Sequence, residues 1–271
     1  MRIGRNHFVK DKKIIVTGAS KGIGREIAIE IAAHGGIPIL IARSQELLQE
    51  LADEIEANNG ICRVYPIDTF SRETIEEQIN DMLETEKRIH GLINNAGFGV
   101  FDSIEELNMD EVEEMFQVNV LAGMQYAKAF LPHFLQFKGK SHIINIVSQA
   151  AKLPTPKAAG YAASKHAMLG FTNVLRQETR GSSLTVTSVN LGPVKTNFFE
   201  MADKEGKYQQ NVEKYMLSPE KVASKVVHSL FSNRREINMP WWMEAGSILY
   251  RLFPGLMEKV LQSQFDKKIV E

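Results

Sequence analysis

The stretch TGASKGIG, residues 17–24, joins a β-branched run to a segment of helical periodicity. Gly18, Gly22 and Gly24 permit a tight turn, a close approach of backbone to phosphate and close packing of the helix that follows. The start of that helix offers free N–H groups and a positive dipole to an anion. The spacing is G-x-x-x-G-x-G, not the G-x-G-x-x-G of other dinucleotide folds, and no P-loop lysine follows the last glycine. A glycine-rich connector that binds nothing would look the same, so the surrounding chain must decide.

Outward from this turn, short apolar runs alternate with longer helical patterns. Strands are expected at 12–16, 37–42, 62–67, 91–95, 142–148 and 184–190, with 236–239 as a seventh. They are almost continuously apolar, as strands covered on both faces should be. Helices are expected at 23–34, 44–58, 71–87, 108–137, 161–180 and 218–233, the last opened by Ser218 as N-cap and Pro219 as first helical residue. This alternation predicts an α/β fold: a doubly wound parallel sheet of the Rossmann type, about seven strands with helices on both faces. Ligands of such a sheet bind beyond the carboxyl ends of its strands. The polar, weakly periodic stretch 197–217 is placed to cover them as a substrate lid.

The 271 residues fit a single domain spanning 1–271, and the 44% hydrophobic and 24% charged composition is that of a globular protein. A formal net charge of −1 gives no sign of a nucleic-acid surface. Cys62 is the single cysteine, in an apolar run, and reads as a packed thiol in a reducing compartment. The first residues lack the apolar core of a signal peptide, and no run of about 18 uncharged apolar residues predicts a membrane span. A cytoplasmic protein is the simplest expectation. No histidine and acid spacing of the H-E-x-x-H kind predicts a metal, and the acidic run 105–114 reads as the solvated start of the long helix.

YAASK, residues 161–165, puts Tyr161 one helical turn before Lys165, and none of the other five tyrosines has a lysine four positions on. Asn119 lies in the apolar helical run FQVNVLAG, and Ser148 closes the fifth strand. Each has an ordinary reading: an amphipathic helix surface for the pair, a satisfied core amide for Asn119, a cap for Ser148.

From about Lys12 to Thr196 the chain resembles the short-chain dehydrogenase/reductase family. TGASKGIG, Asp68 after the third strand, NNAG (94–97), Asn119, Ser148, YAASK and LGPVKT (191–196) carry the resemblance together and in order. It implies that Tyr161 protonates a carbonyl oxygen, that Lys165 supports it and bonds the nicotinamide ribose, and that Ser148 stabilises developing negative charge. Asn119 would hold a water leading from Lys165 to solvent. A cation ~4 Å from the phenol at an effective dielectric of ~20 is worth up to ~4 kcal/mol, about three pKa units, so the phenol is expected to titrate toward neutral pH. The implied cofactor contacts are Gly18, Ser20, Lys21, Gly22, Ile23, Gly24, Arg43, Asp68, Asn95, Ala96, Gly97, Tyr161, Lys165, Val194 and Thr196. Relatives that use NAD carry an acid at the end of the second strand, where this chain has Arg43, and Lys21 lies in the glycine loop. These two cations favour NADP, although both could be solvated surface charges. Leu191 stands where the family has proline, and Pro193 remains one position after Gly192. The resemblance also implies a homodimer or homotetramer paired through 108–137 and 161–180.

The expected function is an NADP-dependent oxidoreductase acting on a carbonyl or secondary alcohol. A dinucleotide sensor without turnover, an epimerase or dehydratase, and a peripheral membrane reductase of a lipid-like ketone are the alternatives. The variable C-terminal extension 239–271 holds both tryptophans, and Pro254-Gly255 is expected to split it into two short helices. It could cover an apolar pocket, bury itself between subunits or lie on a membrane surface.

Overall fold

The computed structural model of the protein describes residues 7–70, 72–203 and 206–269. Seven strands form one sheet: β1 (Lys13–Thr17), β2 (Ile37–Ala42), β3 (Arg63–Pro66), β4 (Gly91–Asn94), β5 (Ser141–Ser148), β6 (Leu184–Leu191) and β7 (Glu236–Met239). Their order is β3-β2-β1-β4-β5-β6-β7, with every pair parallel. The chain winds outward one way from β1 to β3 and the other way from β4 to β7. The reversal leaves a crevice between the carboxyl ends of β1 and β4, where open α/β sheets bind ligands.

Helices α1 (Gly22–Ala33), α2 (Gln45–Ala57) and α9 (Pro219–Val227) cover one face. Helices α3 (Arg72–Glu86), α5 (Gly123–Gln136) and α6 (Ala159–Glu178) cover the other. Strand residues alternate between two apolar clusters: Ile14, Val16 and Leu40 pack with the first group, Ile15, Ile39 and Ile41 with the second. Cys62 is buried, and burial pushes its thiol pKa up.

Several boundaries shift. β1 starts at Lys13 because the amide of Lys12 closes a turn on Val9 O at 3.0 Å. Residue 71, the expected start of the third helix, lies outside the described residues. α6 begins two residues early, at Ala159. The long helix at 108–137 is three pieces: α4 (Met109–Phe116), a π-helical segment (Gln117–Ala122) and α5. Asn108 caps α4 by accepting from Asp110 N at 2.9 Å, and the acidic residues Asp110 and Glu111 fill its first turn. Stretch 197–217 is not a plain loop: it holds α7 (Phe198–Ala202), α8 (Lys207–Val212) and a 3-10 turn (Glu213–Tyr215). The extension forms α10 (Trp241–Leu252) and α11 (Pro254–Ile269), divided at the expected proline.

Candidate active site

A cavity of about 960 Å³ lies at the carboxyl ends of the strands and is lined by the segments that follow β1, β2, β3, β4, β5 and β6. In the first of these, Gly18 (φ 65°) and Gly22 (φ 56°) take the left-handed conformation that side chains disfavour. Lys21, at the N-cap of α1, gives no side-chain cap, and no acid stands in the first turn. The N–H groups at the start of α1 are thus left for an anion, and Ser20, Lys21, Gly22 and Ile23 all line the cavity. The site fits a dinucleotide phosphate on these grounds. Thr17 locks the turn to the next loop: its hydroxyl accepts from Asn95 N and Ala96 N, each at 3.0 Å, while Asn95 Nδ2 donates to Thr17 O at 3.0 Å. A Cβ on Gly24 would overlap the carbonyl oxygen of Gly18 and come within 2.5 Å of Asn95 Nδ2. Gly24→Ala is therefore expected to open the turn. Fluorescence titration should read at least a tenfold loss of dinucleotide affinity, and urea unfolding a loss of ~1–3 kcal/mol.

At the end of β2, Arg43 is exposed, lines the cavity and sits over the Phe70 ring at 5.0 Å. Lys21 lines the same cavity. Asp68 does not: it is exposed, its Oδ1 accepts from Phe70 N at 3.0 Å, and Thr69 and Phe70 face the cavity instead. Asp68 thus holds its own loop through one carboxylate oxygen. Asn95, Ala96, Gly97, Val194 and Thr196 line the cavity as expected.

Asn119, Ser148, Tyr161 and Lys165 come together. Asn119 is buried in the π-helical segment; its Oδ1 accepts from Phe98 N at 2.9 Å, and its Nδ2 donates to Phe98 O at 2.9 Å and to Ser164 Oγ at 3.0 Å. Ser164 in turn donates to Tyr161 O at 2.7 Å, tying Asn119 to the tyrosine's own turn. A Cβ on Gly97 would stand 2.9 Å from Asn119 Oδ1 and 3.3 Å from Lys165 Nζ, so this glycine leaves the space between them. Ser148 does cap a turn, accepting from Ala150 N at 3.1 Å, and its hydroxyl also bonds the Tyr161 phenol. The ordinary cap reading holds, and the same hydroxyl also sits beside the phenol.

The expected acidic phenol is not what the site produces. Burial pushes the Tyr161 pKa up to about 12, with the Ser148 hydrogen bond pulling the other way. Lys165 Nζ lies 5.8 Å from the ring centroid and donates to Ile146 O at 3.2 Å. The phenol therefore keeps its proton at neutral pH. Burial lowers Lys165 from 10.5 to about 8. Folded Lys165 releases its proton at lower pH than the unfolded chain, so stability rises with pH between about 8 and 10.5 and is reduced below that window. The penalty at neutral pH is about 3 kcal/mol. Lys165→Met should accordingly melt higher than wild type at pH 7, with the gap narrowing as pH rises to 10.5. Calorimetry across that range checks the sign.

Aromatic rings wall the rest of the cavity. Phe198 and Phe101 stand 5.5 and 5.9 Å from the Tyr161 ring. Across the site, Lys152 is almost buried and binds Glu236 Oε2 at 2.6 Å, Glu244 Oε2 at 2.8 Å and Asn238 Oδ1 at 3.2 Å. Burial opposes ionisation of Glu236, but the hydrogen bond and charge of Lys152 hold its carboxyl below the usual range. This cluster fastens β7 and α10 to the turn after Ser148, and Met243 of α10 lines the cavity. Leu191 continues the ladder with Met239, and its carbonyl accepts from Ser148 Oγ at 3.3 Å. Sequence reading missed Thr17, Ser164, Phe101 and Met243; only Ser164, inside YAASK, and Thr17, at the glycine turn, carried a local signal.

Among the described residues one group could hold a metal: Glu30, His34 and His228 offer ligand atoms within 4.8 Å of one another. They do not line the cavity, and both Nδ1 atoms already meet the backbone, Glu30 O at 2.9 Å and Ser224 O at 2.7 Å.

The described family of short chain dehydrogenases matches residues 12–207. The uncharacterized oxidoreductase YbbO of Escherichia coli (strain K12) is 30% identical over 94% of this chain and 95% of its own. A fatty acyl-CoA reductase of Acinetobacter baylyi is 29% identical over 95% of this chain and 85% of its own. A putative NAD(P)-dependent gluconate 5-dehydrogenase from Beutenbergia cavernae, solved with NADP, superposes with a TM-score of 0.78, 25% identity and coverage of 86% and 96% of the two chains.

Proposed function

The chain belongs to the short chain dehydrogenase family, and on that premise we propose that it is an NADP(H)-dependent oxidoreductase of an apolar carbonyl or secondary alcohol. The observation that carries this reading is Tyr161, bonded to Ser148 and protonated at neutral pH, at the wall of a cavity that a glycine turn opens for phosphate. The nicotinamide group supplies or accepts the hydride when bound. In reduction, Tyr161 Oη donates its proton to the carbonyl oxygen. Ser148 Oγ donates a hydrogen bond to the same oxygen and stabilises the charge that develops there. Lys165 holds the nicotinamide ribose and carries positive charge below about pH 8. Asn119 fixes the loop after β4 through its two bonds to Phe98. Lys21 and Arg43 hold the 2′-phosphate, which is the ground for NADP over NAD. α7 and α8 act as the lid, with Phe198 beside Tyr161 and Met201 lining the cavity.

Exposed Leu121, Leu135 and Val174, on the π-helical segment, α5 and α6, support pairing of subunits through those helices. Apolar lining favours an aliphatic or aromatic ketone over a sugar, in keeping with the fatty acyl substrate named for one relative. The test is a panel of ketones, 3-oxoacyl thioesters, steroids and sugars followed by NADPH absorbance. Turnover of sugars alone would overturn the apolar assignment, and no turnover with any carbonyl would favour a dinucleotide sensor.

A further inference from the structure

α10 faces the wrong way for a helix held by apolar burial. Two of its polar residues point inward: Glu244 meets Lys152 at 2.8 Å, and Ser247 is fully buried. Its large apolar residues point outward, with Trp241 77%, Leu252 65%, Leu249 47%, Trp242 45% and Ile248 43% exposed. At 100° per residue these five fall on one arc of ~120°, shared only with Ala245 and free of charge. The cluster around Lys152 thus sets the helix's orientation, against the tendency of its apolar face to turn inward.

The patch extends beyond α10. Phe253, Leu256 and Val260 are exposed on the same extension, and the Tyr215 ring meets Trp242 edge-on at 6.1 Å. Met243 points the opposite way and lines the cavity against Gly192, so the patch and the cavity share one helix. Two carboxylates of the extension are engaged: Glu244 by Lys152, and Glu258 by the Tyr250 hydroxyl at 2.9 Å. Arg251 and Lys259 are exposed at its edge. An apolar face bearing tryptophans and edged by cations complements the headgroup zone of an anionic bilayer.

We propose that the α10–α11 extension docks on the surface of an anionic lipid bilayer with this face inward. The cavity then lies beside the lipid phase and takes a carbonyl substrate dissolved in it; that last clause rests on the reductase reading. No helix among the described residues is long and apolar enough to cross a membrane, so the contact is peripheral.

The full chain is mixed with phosphatidylcholine vesicles, with and without phosphatidylglycerol, and floated. Its sedimentation mass and its reduction of a water-soluble ketone by NADPH are measured alongside. The same is done for the Trp241→Ser, Leu252→Ser double variant, whose changed side chains lie outside the cavity lining. Expected is flotation with the anionic vesicles, reduced at least tenfold in the variant, at unchanged mass and unchanged soluble-ketone turnover. Flotation without any ketone reduction would uphold the docking and sink the reductase reading alone. Wild type that stays at the bottom of the gradient would overturn the docking. So would a variant whose mass falls to that of a smaller oligomer, because the face would then be a subunit contact. Equal flotation on both lipid mixtures would overturn the role of Arg251 and Lys259.

Discussion

Tyr161→Phe is expected to lower kcat by about 10²–10⁴-fold while leaving NADPH affinity within about twofold. The substitution removes one oxygen and keeps the ring, so the contacts with Phe101 and Phe198 at 5.9 and 5.5 Å survive. What is lost is the hydroxyl that bonds Ser148 and, in the proposed mechanism, carries the transferable proton. Because burial holds that pKa near 12, the proton is present throughout the neutral range, and the wild-type rate should show no phenol titration below that value. Single-turnover kinetics at saturating NADPH separates chemistry from release. A variant that reduces its ketone at near wild-type rate would remove Tyr161 from the mechanism.

Arg43→Asp is expected to invert cofactor choice, moving the NADPH/NADH ratio of kcat/KM by about two to three orders of magnitude. The wild-type guanidinium is held against Phe70 at 5.0 Å and needs little reorganisation to meet a phosphate. An aspartate at that position repels the 2′-phosphate and can accept from a 2′-hydroxyl. Lys21 remains on the glycine turn and keeps part of the attraction for NADPH. A ratio that does not change would place the 2′-phosphate away from the end of β2.

The strand and helix order was legible because each element repeats its own apolar period, and a both-sided sheet needs runs such as IPILIA in β2. The candidate site residues were legible because each sits in a short local pattern: Ser148 at the end of β5, Asn119 in the apolar run of the π-helical segment, and Tyr161 and Lys165 one turn apart on α6. What stayed hidden depends on contacts far apart in sequence. Lys152 and Glu244 are 92 positions apart, so nothing local told that α10 would turn its tryptophans outward. Helices of five and six residues, α7 and α8, are too short to show a period. The phenol pKa followed burial rather than the i+4 lysine, because Lys165 Nζ turns to Ile146 O. The bond from Phe70 N to the Asp68 carboxylate, two residues apart, carried no signal in the sequence.

The π-helical segment Gln117–Ala122 has a consequence for how this chain tolerates changes of length. A π turn carries about one residue more than the α turn it interrupts. Losing one residue there would leave a smoother, continuous helix, so the backbone itself raises no objection. Because the π turn spreads its extra residue over one turn, α5 would keep about the same phase relative to α4, and the change would fall on the residues of the segment itself. Tyr126, Phe130 and Phe134, all fully buried, would keep facing the sheet. Asn119 would leave the Phe98 backbone that it bridges. The extra residue works as a local spacer, re-aiming Asn119 at the crevice while the rod keeps its aromatic stripe on the core. Deletions should thus be accepted in loops on either side of this rod sooner than inside it.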